Sequence, residues 1–358
     1  MVANGPYSLF INTLIMKITL DKIASVTKNA ALQQEVLITD DMKAENGLLL
    51  VVEVLEDKKI YNQLELVTGR LSTLKKGDII AVALGNRKAL KGFVGKTPDT
   101  LKVGDIINVL NLGGVVGICT SENIKEVGHA LPVKVLGAIT DGKKQLTTHH
   151  FKKFEPEESL TSTMPLVVVS GTCMNVGKTT AACEIIKIAS QEGFTVLGAK
   201  LTGIAALRDT ENMKDHGALE SVSFLDAGLT STVQNNGYAV AVTKGAINFL
   251  SKKKADFIVI EFGDGVFGEY GVLEILKDKA IQKNIVAHIG CAHDPMGAMK
   301  LAEVCKAIGA PVTVMSGPVT DNEVGVSFIQ QSIGIPSFNA FTKPEDLFHY
   351  LSTTCLKK

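Results

Sequence analysis

Val167-Val168-Val169-Ser170-Gly171-Thr172-Cys173-Met174-Asn175-Val176-Gly177-Lys178-Thr179-Thr180 decides the fold of this chain. A β-branched run enters a loop bounded by Gly171 and Gly177, and Gly177-Lys178-Thr179 opens an apolar helical stretch. Polyphosphate binding requires this order of buried strand, glycine-bounded loop and helix. Backbone N–H groups of the loop and of the helix N-terminus point inward at the anion, and the helix dipole adds to them. Gly177 lets the backbone approach with no Cβ in the way. Lys178 brings a point charge to the β- and γ-phosphates, and the Thr179 hydroxyl is a ligand for Mg²⁺. The expected nucleotide-contacting set is therefore Gly171, Thr172, Cys173, Met174, Asn175, Val176, Gly177, Lys178, Thr179 and Thr180. Five residues separate Gly171 from Gly177, one more than the usual pattern has.

Two further stretches point at the same chemistry. Ala255-Asp256-Phe257-Ile258-Val259-Ile260-Glu261 is an apolar strand ending in a carboxylate, followed by Phe262-Gly263-Asp264-Gly265. A carboxylate at the carboxyl end of a neighbouring parallel strand reaches the Mg²⁺ of a nucleotide, directly or through water. Asp264 is a reserve for that role. Val196-Leu197-Gly198-Ala199-Lys200-Leu201-Thr202-Gly203 places Lys200 at the carboxyl end of the next strand, the edge that faces the ligand crevice of a doubly wound sheet. Lys178, Lys200 and Glu261 are the expected catalytic residues.

Around these stretches, strands expected at 166–170, 195–200, 257–261, 285–289 and 311–316 alternate with helices at 179–191, 212–224, 244–252 and 298–308. Such alternation predicts an α/β fold, a P-loop doubly wound and mostly parallel sheet. Before it, the chain is β-rich. Lys76-Gly77-Asp78-Ile79-Ile80 and Val103-Gly104-Asp105-Ile106-Ile107 echo each other, each a Gly-Asp turn leading into an alternating strand. The expected division is an N-terminal extension over 1–18, a β-rich barrel or sandwich over 19–145, a linker over 146–163 and the nucleotide-binding α/β domain over 164–358.

Composition narrows the function. Thirty-seven basic residues balance 37 acidic ones, which excludes a chain built to coat nucleic acid or an acidic membrane. Forty-six per cent hydrophobic residues and a mean hydropathy of +0.22 exclude disorder. Six scattered cysteines without a C-x-x-C pair fit reduced thiols, and a cytoplasmic location is expected. The apolar run within residues 1–17 lacks a basic leader, is too short to span a bilayer, and reads as an extension or a docking strand.

Gly171-Thr172-x-x-x-Val176-Gly177-Lys178-Thr179 resembles the phosphate loop of dethiobiotin synthetase, which shares the longer spacing. Gly198-Ala199-Lys200 resembles that family's Gly-Tyr-Lys, and Leu207-Arg208-Asp209 its Leu-Arg-Asn followed by an acidic metal ligand. Ala255–Glu261 resembles its Ala-Asp strand ending in Glu, and Ile289-Gly290-Cys291 its Leu-Gly-Cys. The superfamily also holds cobyrinate amidating enzymes and the molybdopterin-guanine-dinucleotide accessory protein. The resemblance covers about half the chain, 166–341. It implies Lys178 and Lys200 on the phosphates; Thr179, Glu261 and one of Asp209 or Asp215 on Mg²⁺; and paired subunits, a homodimer. The family's Glu-Gly-Ala-Gly-Gly is Glu261-Phe262-Gly263-Asp264-Gly265 here, and its base-contacting Asn has no clear counterpart near Met315-Ser316-Gly317-Pro318.

His288-Ile289-Gly290-Cys291-Ala292-His293-Asp294 has metal-binding residue types, but along a strand alternate side chains face opposite ways and cannot all converge. His149-His150 is expected to be solvated. The leading expectation is ATP- and Mg²⁺-dependent phosphoryl transfer or ligation on a small carboxylate-bearing metabolite, by a kinase- or ligase-type enzyme that hydrolyses ATP. ATP is preferred because the guanine-reading Asn-Lys-x-Asp is absent from the sequence. The rival is a nucleotide-dependent switch or adaptor that binds a protein partner through its β-rich domain.

Overall fold

Six segments of the C-terminal half align in the computed structural model as one parallel sheet. Their order is Glu220–Ser223, Val196–Thr202, Phe257–Phe262, Leu166–Gly171, Ile285–Cys291 and Val314–Ser316. The structure describes residues 14–233 and 236–356. Buried on both faces, the strands sort their side chains with period two. Val167, Val169, Phe257 and Val259 pack with the helices Lys178–Gln191 and Pro344–Thr354. Leu166, Val168, Ile258 and Ile260 face the helices Asn236–Leu250 and Pro295–Ala307. The expected α/β, doubly wound sheet is present.

The core on that second face does not stop at the sheet. It runs on without a break into Leu49, Val51, Val82 and Val116 of the N-terminal half. There, five strands close on themselves: Leu131–Thr140 pairs with Leu49–Val54, that with Ile79–Leu84, that with Val115–Glu122, that with Ile106–Val109, and this last again with Leu131–Thr140. Closure leaves the central strands without free edges. The two echoed turns are built alike: Asp78 accepts from the Lys75 N–H at 2.6 Å and Asp105 from the Lys102 N–H at 2.8 Å.

Two segments behave differently from their sequence reading, and a third takes one of its two readings. Ile15–Thr19 pairs antiparallel with Glu35–Thr39, the docking strand of the two. The rest of that apolar run, up to residue 13, lies outside the described residues. Residues 212–224, read as helix, divide. The helix Arg208–Asp215 ends before Gly217, whose φ of +104° no helix continues through, and Glu220–Ser223 becomes the edge strand. Residues 146–163 lie along the helix Asn236–Leu250. The Asn248 carboxamide accepts from the Thr161 and Ser162 N–H groups at 3.0 and 3.1 Å and donates to Glu157 Oε2 at 2.7 Å.

Candidate functional site

The loop after Leu166–Gly171 turns tightly. A Cβ on Gly171 would come within 2.7 Å of Val176 Cγ2 and 2.8 Å of the Cys291 carbonyl, and Gly177 adopts φ +85°. Asn175 takes φ +59° to complete the turn. Lys178 Nζ reaches back to donate to the Cys173 carbonyl at 2.6 Å. Burial, and next the neighbouring Lys200 ammonium, lower the Lys178 ammonium from its ordinary value.

Strand register brings the remaining groups to the same edge. Lys200 lies opposite Glu261, and Val169 of the loop strand pairs with Glu261 on the other side. Lys200 Nζ donates to Glu261 Oε1 at 2.5 Å and to Asp209 Oδ2 at 2.8 Å, while the Thr179 hydroxyl donates to Glu261 Oε1 at 2.8 Å. Burial raises the Glu261 carboxyl, and the cationic Lys200 only partly reverses this. For Asp209 burial also works upward, but Lys200 outweighs it and the net direction is down. The second oxygen, Glu261 Oε2, is buried with no hydrogen-bond partner among the described residues. Such an orphaned anionic oxygen beside a threonine hydroxyl fits a hard divalent cation.

These groups line a cleft of 620 Å³ at the carboxyl ends of the strands. Of the residues expected from sequence, Met174 through Thr180, Lys200, Asp209 and Glu261 line it. Gly171, Thr172 and Cys173 stand behind it as the base of the loop. Asp209 and Asp264 are in the cleft, whereas Asp215 lines a separate hollow with Lys187 and His216. Sequence reasoning missed Arg208, Asn339 and Phe341 as site residues, and placed Ser316-Gly317-Pro318 only near the base-contacting position of the resembled family.

The histidine-rich segment is structural. His288 is fully buried, with Nε2 2.7 Å from Ser170 Oγ and Nδ1 2.9 Å from the Ala310 carbonyl, and burial lowers its imidazole to about 4. Asp294 caps the helix Pro295–Ala307 by accepting from Gly297 N–H. Among the described residues no cluster of three His, Cys, Asp or Glu is arranged to hold a metal. His149 is half-buried rather than solvated, and burial lowers its imidazole.

One group arrives from the other half of the chain. Glu65, buried in the strand Gln63–Glu65, accepts from Leu207 N–H at 2.7 Å and Arg208 N–H at 2.8 Å, and also from the Ser25 hydroxyl. It thereby holds the start of the helix that carries Asp209. Nothing in its local sequence marks it, because its two backbone partners lie about 140 residues away and Ser25 lies 40 residues away.

Sheet order, loop and cleft together define the α/β fold of a P-loop NTPase. No protein-family model and no curated protein sequence matches the chain. Among solved structures it is similar to the cell division protein FtsY of Thermotoga maritima, at 19% identity and a TM-score of 0.38, over 52% of this chain and 62% of that one. It is also similar to the signal recognition particle 54 kDa protein of Aeropyrum pernix in complex with GDP, at 19% identity and 0.37, over 53% and 45%. A third is a duf1611 family protein from Anabaena variabilis, at 14% and 0.38, over 54% and 58%. The chain spans about three fifths of the length of the first solved structures it resembles. These likenesses do not reach the dethiobiotin synthetase-like subfamily, nor kinase or ligase chemistry. No helix among the described residues is long and apolar enough to cross a membrane.

Proposed function

We propose that the protein binds and hydrolyses a Mg²⁺–nucleoside triphosphate in this cleft and couples the nucleotide to its N-terminal half. The observation that carries the reading is the convergence of Thr179 and Lys200 on Glu261, whose Oε2 is left for a cation, in a cleft that Lys178 and Asp209 also line. Thr179, Glu261 and Asp209 would hold Mg²⁺, which when bound supplies charge neutralisation between the β- and γ-phosphates. The protein's share is positioning. Loop N–H groups and Lys178 orient the phosphates, and Lys200 keeps the two carboxylates compact beside them.

The switch reading is favoured over metabolite phosphorylation by how the N-terminal half grips the loops around the cleft. Glu65 holds the start of Arg208–Asp215, Lys28 pairs with Glu211 at 3.2 Å, and Lys88 pairs with Glu269 on the segment after Glu261. GTP replaces ATP as the expected nucleotide. The Asp321 carboxylate at the far end of the cleft accepts from Asn339 through one oxygen. Its other oxygen suits the adjacent N–H donors of guanine, which adenine lacks.

The test is binding of fluorescent GTP and ATP analogues, with Mg²⁺-dependent turnover in the presence and absence of small carboxylates. Lys178→Ala should weaken binding of both nucleotides by about 100-fold or more, since it removes a charge-assisted contact from a buried site. Unchanged affinity would sink the reading of the loop. Turnover raised many-fold by one carboxylate would restore the phosphorylating enzyme in place of the switch.

A further inference from the structure

Four carboxylates line the cleft among the described residues, and three are already engaged by side chains. Lys200 holds Glu261 and Asp209, and Asn339 holds Asp321. Asp264 is different. It is half-buried and lines the cleft, with Oδ2 lying against Gly268, where a Cβ would come within 2.4 Å of it. Its backbone sits at φ +64°, a left-handed conformation that costs a non-glycine residue about 1 kcal/mol.

The neighbours explain why the chain accepts this cost. A Cβ on Gly263 would run into the Thr202 carbonyl, and one on Gly265 into the Thr172 carbonyl. The segment is therefore threaded between the end of Val196–Thr202 and the base of the phosphate loop. Between them the Asp264 side chain lines the same cleft as Lys178, and Gly268 leaves the space its carboxylate occupies. Strain kept at a crowded turn next to a phosphate-binding lysine points to use of the side chain.

We propose that Asp264 is the general base that orients and deprotonates the water attacking the γ-phosphorus, an inference that rests on the nucleotide reading above. As the new bond from water oxygen to phosphorus forms, the bond from the β,γ-bridging oxygen to phosphorus breaks. The electron pair leaves with the nucleoside diphosphate. The water proton passes to an Asp264 oxygen and from there to solvent, and inorganic phosphate departs. The groups facing Asp264 are Lys178 on the loop helix, Arg87 from the N-terminal half and Tyr270 on its own segment. Burial raises the Asp264 carboxyl, and Lys178 and then Arg87 draw it part of the way back. The acid limb of the turnover profile therefore lies above the ordinary aspartate value of about 3.9.

The test uses the full chain with Mg²⁺ and GTP or ATP, comparing wild type with Asp264→Asn and Asp264→Gly. Asparagine tolerates the left-handed backbone, and glycine relieves it, so both variants should fold. Both should bind a fluorescent nucleotide analogue within about threefold of wild type while turnover falls about 100-fold or more. The acid limb should also vanish from the residual rate. Wild-type-like turnover in Asp264→Asn, or a loss of turnover matched by an equal loss of binding in both variants, would overturn the assignment of Asp264 alone. Failure of the wild-type chain itself to bind either analogue would bring down the nucleotide reading and this inference with it.

Discussion

Lys200 sits between two carboxylates, and that placement accounts for their opposite behaviour. Asp209 reaches the ammonium from a partly open helix end and its carboxyl is lowered, whereas Glu261 is 1% exposed and burial keeps its carboxyl raised. Two acids so close need the lysine as much as any ligand does. Lys200→Met keeps the length of the side chain and removes its charge. It should lower stability at neutral pH by about 3 kcal/mol, because the buried Glu261 and the half-buried Asp209 lose their shared partner. Urea denaturation checks this. A loss below about 0.5 kcal/mol would mean that solvent already screens the pair.

At the scale of elements, short local rules prove strong and long-range ones invisible. Asp278 ends the helix Val272–Lys277 and caps the next, Lys279–Asn284. Its Oδ1 accepts from the Ala280 and Ile281 N–H groups at 2.9 and 3.0 Å, and its Oδ2 takes the Lys244 ammonium at 2.8 Å. Burial alone would raise this carboxyl, but Lys244 and the two N–H donors bring it below its ordinary value. A carboxylate lowered in the folded state stabilises above its unfolded value of about 3.9, and that contribution fades as pH falls through the folded value. Asp278→Ala should thus cost about 1–2 kcal/mol at pH 7, and the gap from wild type should close in acid, as read by urea midpoints from pH 7 down to about pH 2. A gap that persists unchanged in acid would show that lost packing, not the charged cap, is responsible. Elements set by local pattern were legible in the same way: the strand, loop and helix around Gly171–Thr180, and the paired Gly-Asp turns. Glu220–Ser223 was not, because a four-residue edge strand is recognisable only once Val196–Thr202 lies beside it. Lys200 and Glu261 were readable as strand ends, but their mutual contact depends on register between strands some 60 residues apart. Asn339 and Phe341 carry no periodic signal at all, which is why that end of the cleft was blank in the sequence.

For the molecule as a whole, the decisive fact is that one core spans both halves, so the closed barrel is no loose appendage to the nucleotide sheet. Contacts across the junction fall on several segments, and one of them leads into the cleft. Asn111 donates to the Ala205 carbonyl at 2.7 Å, Thr230 donates to the Leu84 carbonyl at 3.1 Å, and Glu65 holds the Leu207 and Arg208 N–H groups. From Glu65 a continuous run of bonded groups passes through the start of Arg208–Asp215 to Asp209, then Lys200, then Glu261, and ends at Thr179. Any cation or phosphate that repositions Asp209 therefore pulls on a buried residue of the N-terminal half, in the two-stranded ribbon Gln63–Glu65 and Leu71–Thr73. This is physical coupling through bonded groups rather than mere proximity, and amide hydrogen exchange can read it. Saturating nucleotide and Mg²⁺ should slow exchange at 205–209 and also at 63–66, on the far side of the junction. In Glu65→Ala two buried N–H donors lose their acceptor, for about 1–3 kcal/mol each, so the variant should be less stable. It should still bind nucleotide through the untouched loop, but the added protection at 63–66 should disappear. Slowing confined to 205–209 in the wild type would show that Glu65 only fastens the two halves together and that the N-terminal half does not sense the nucleotide.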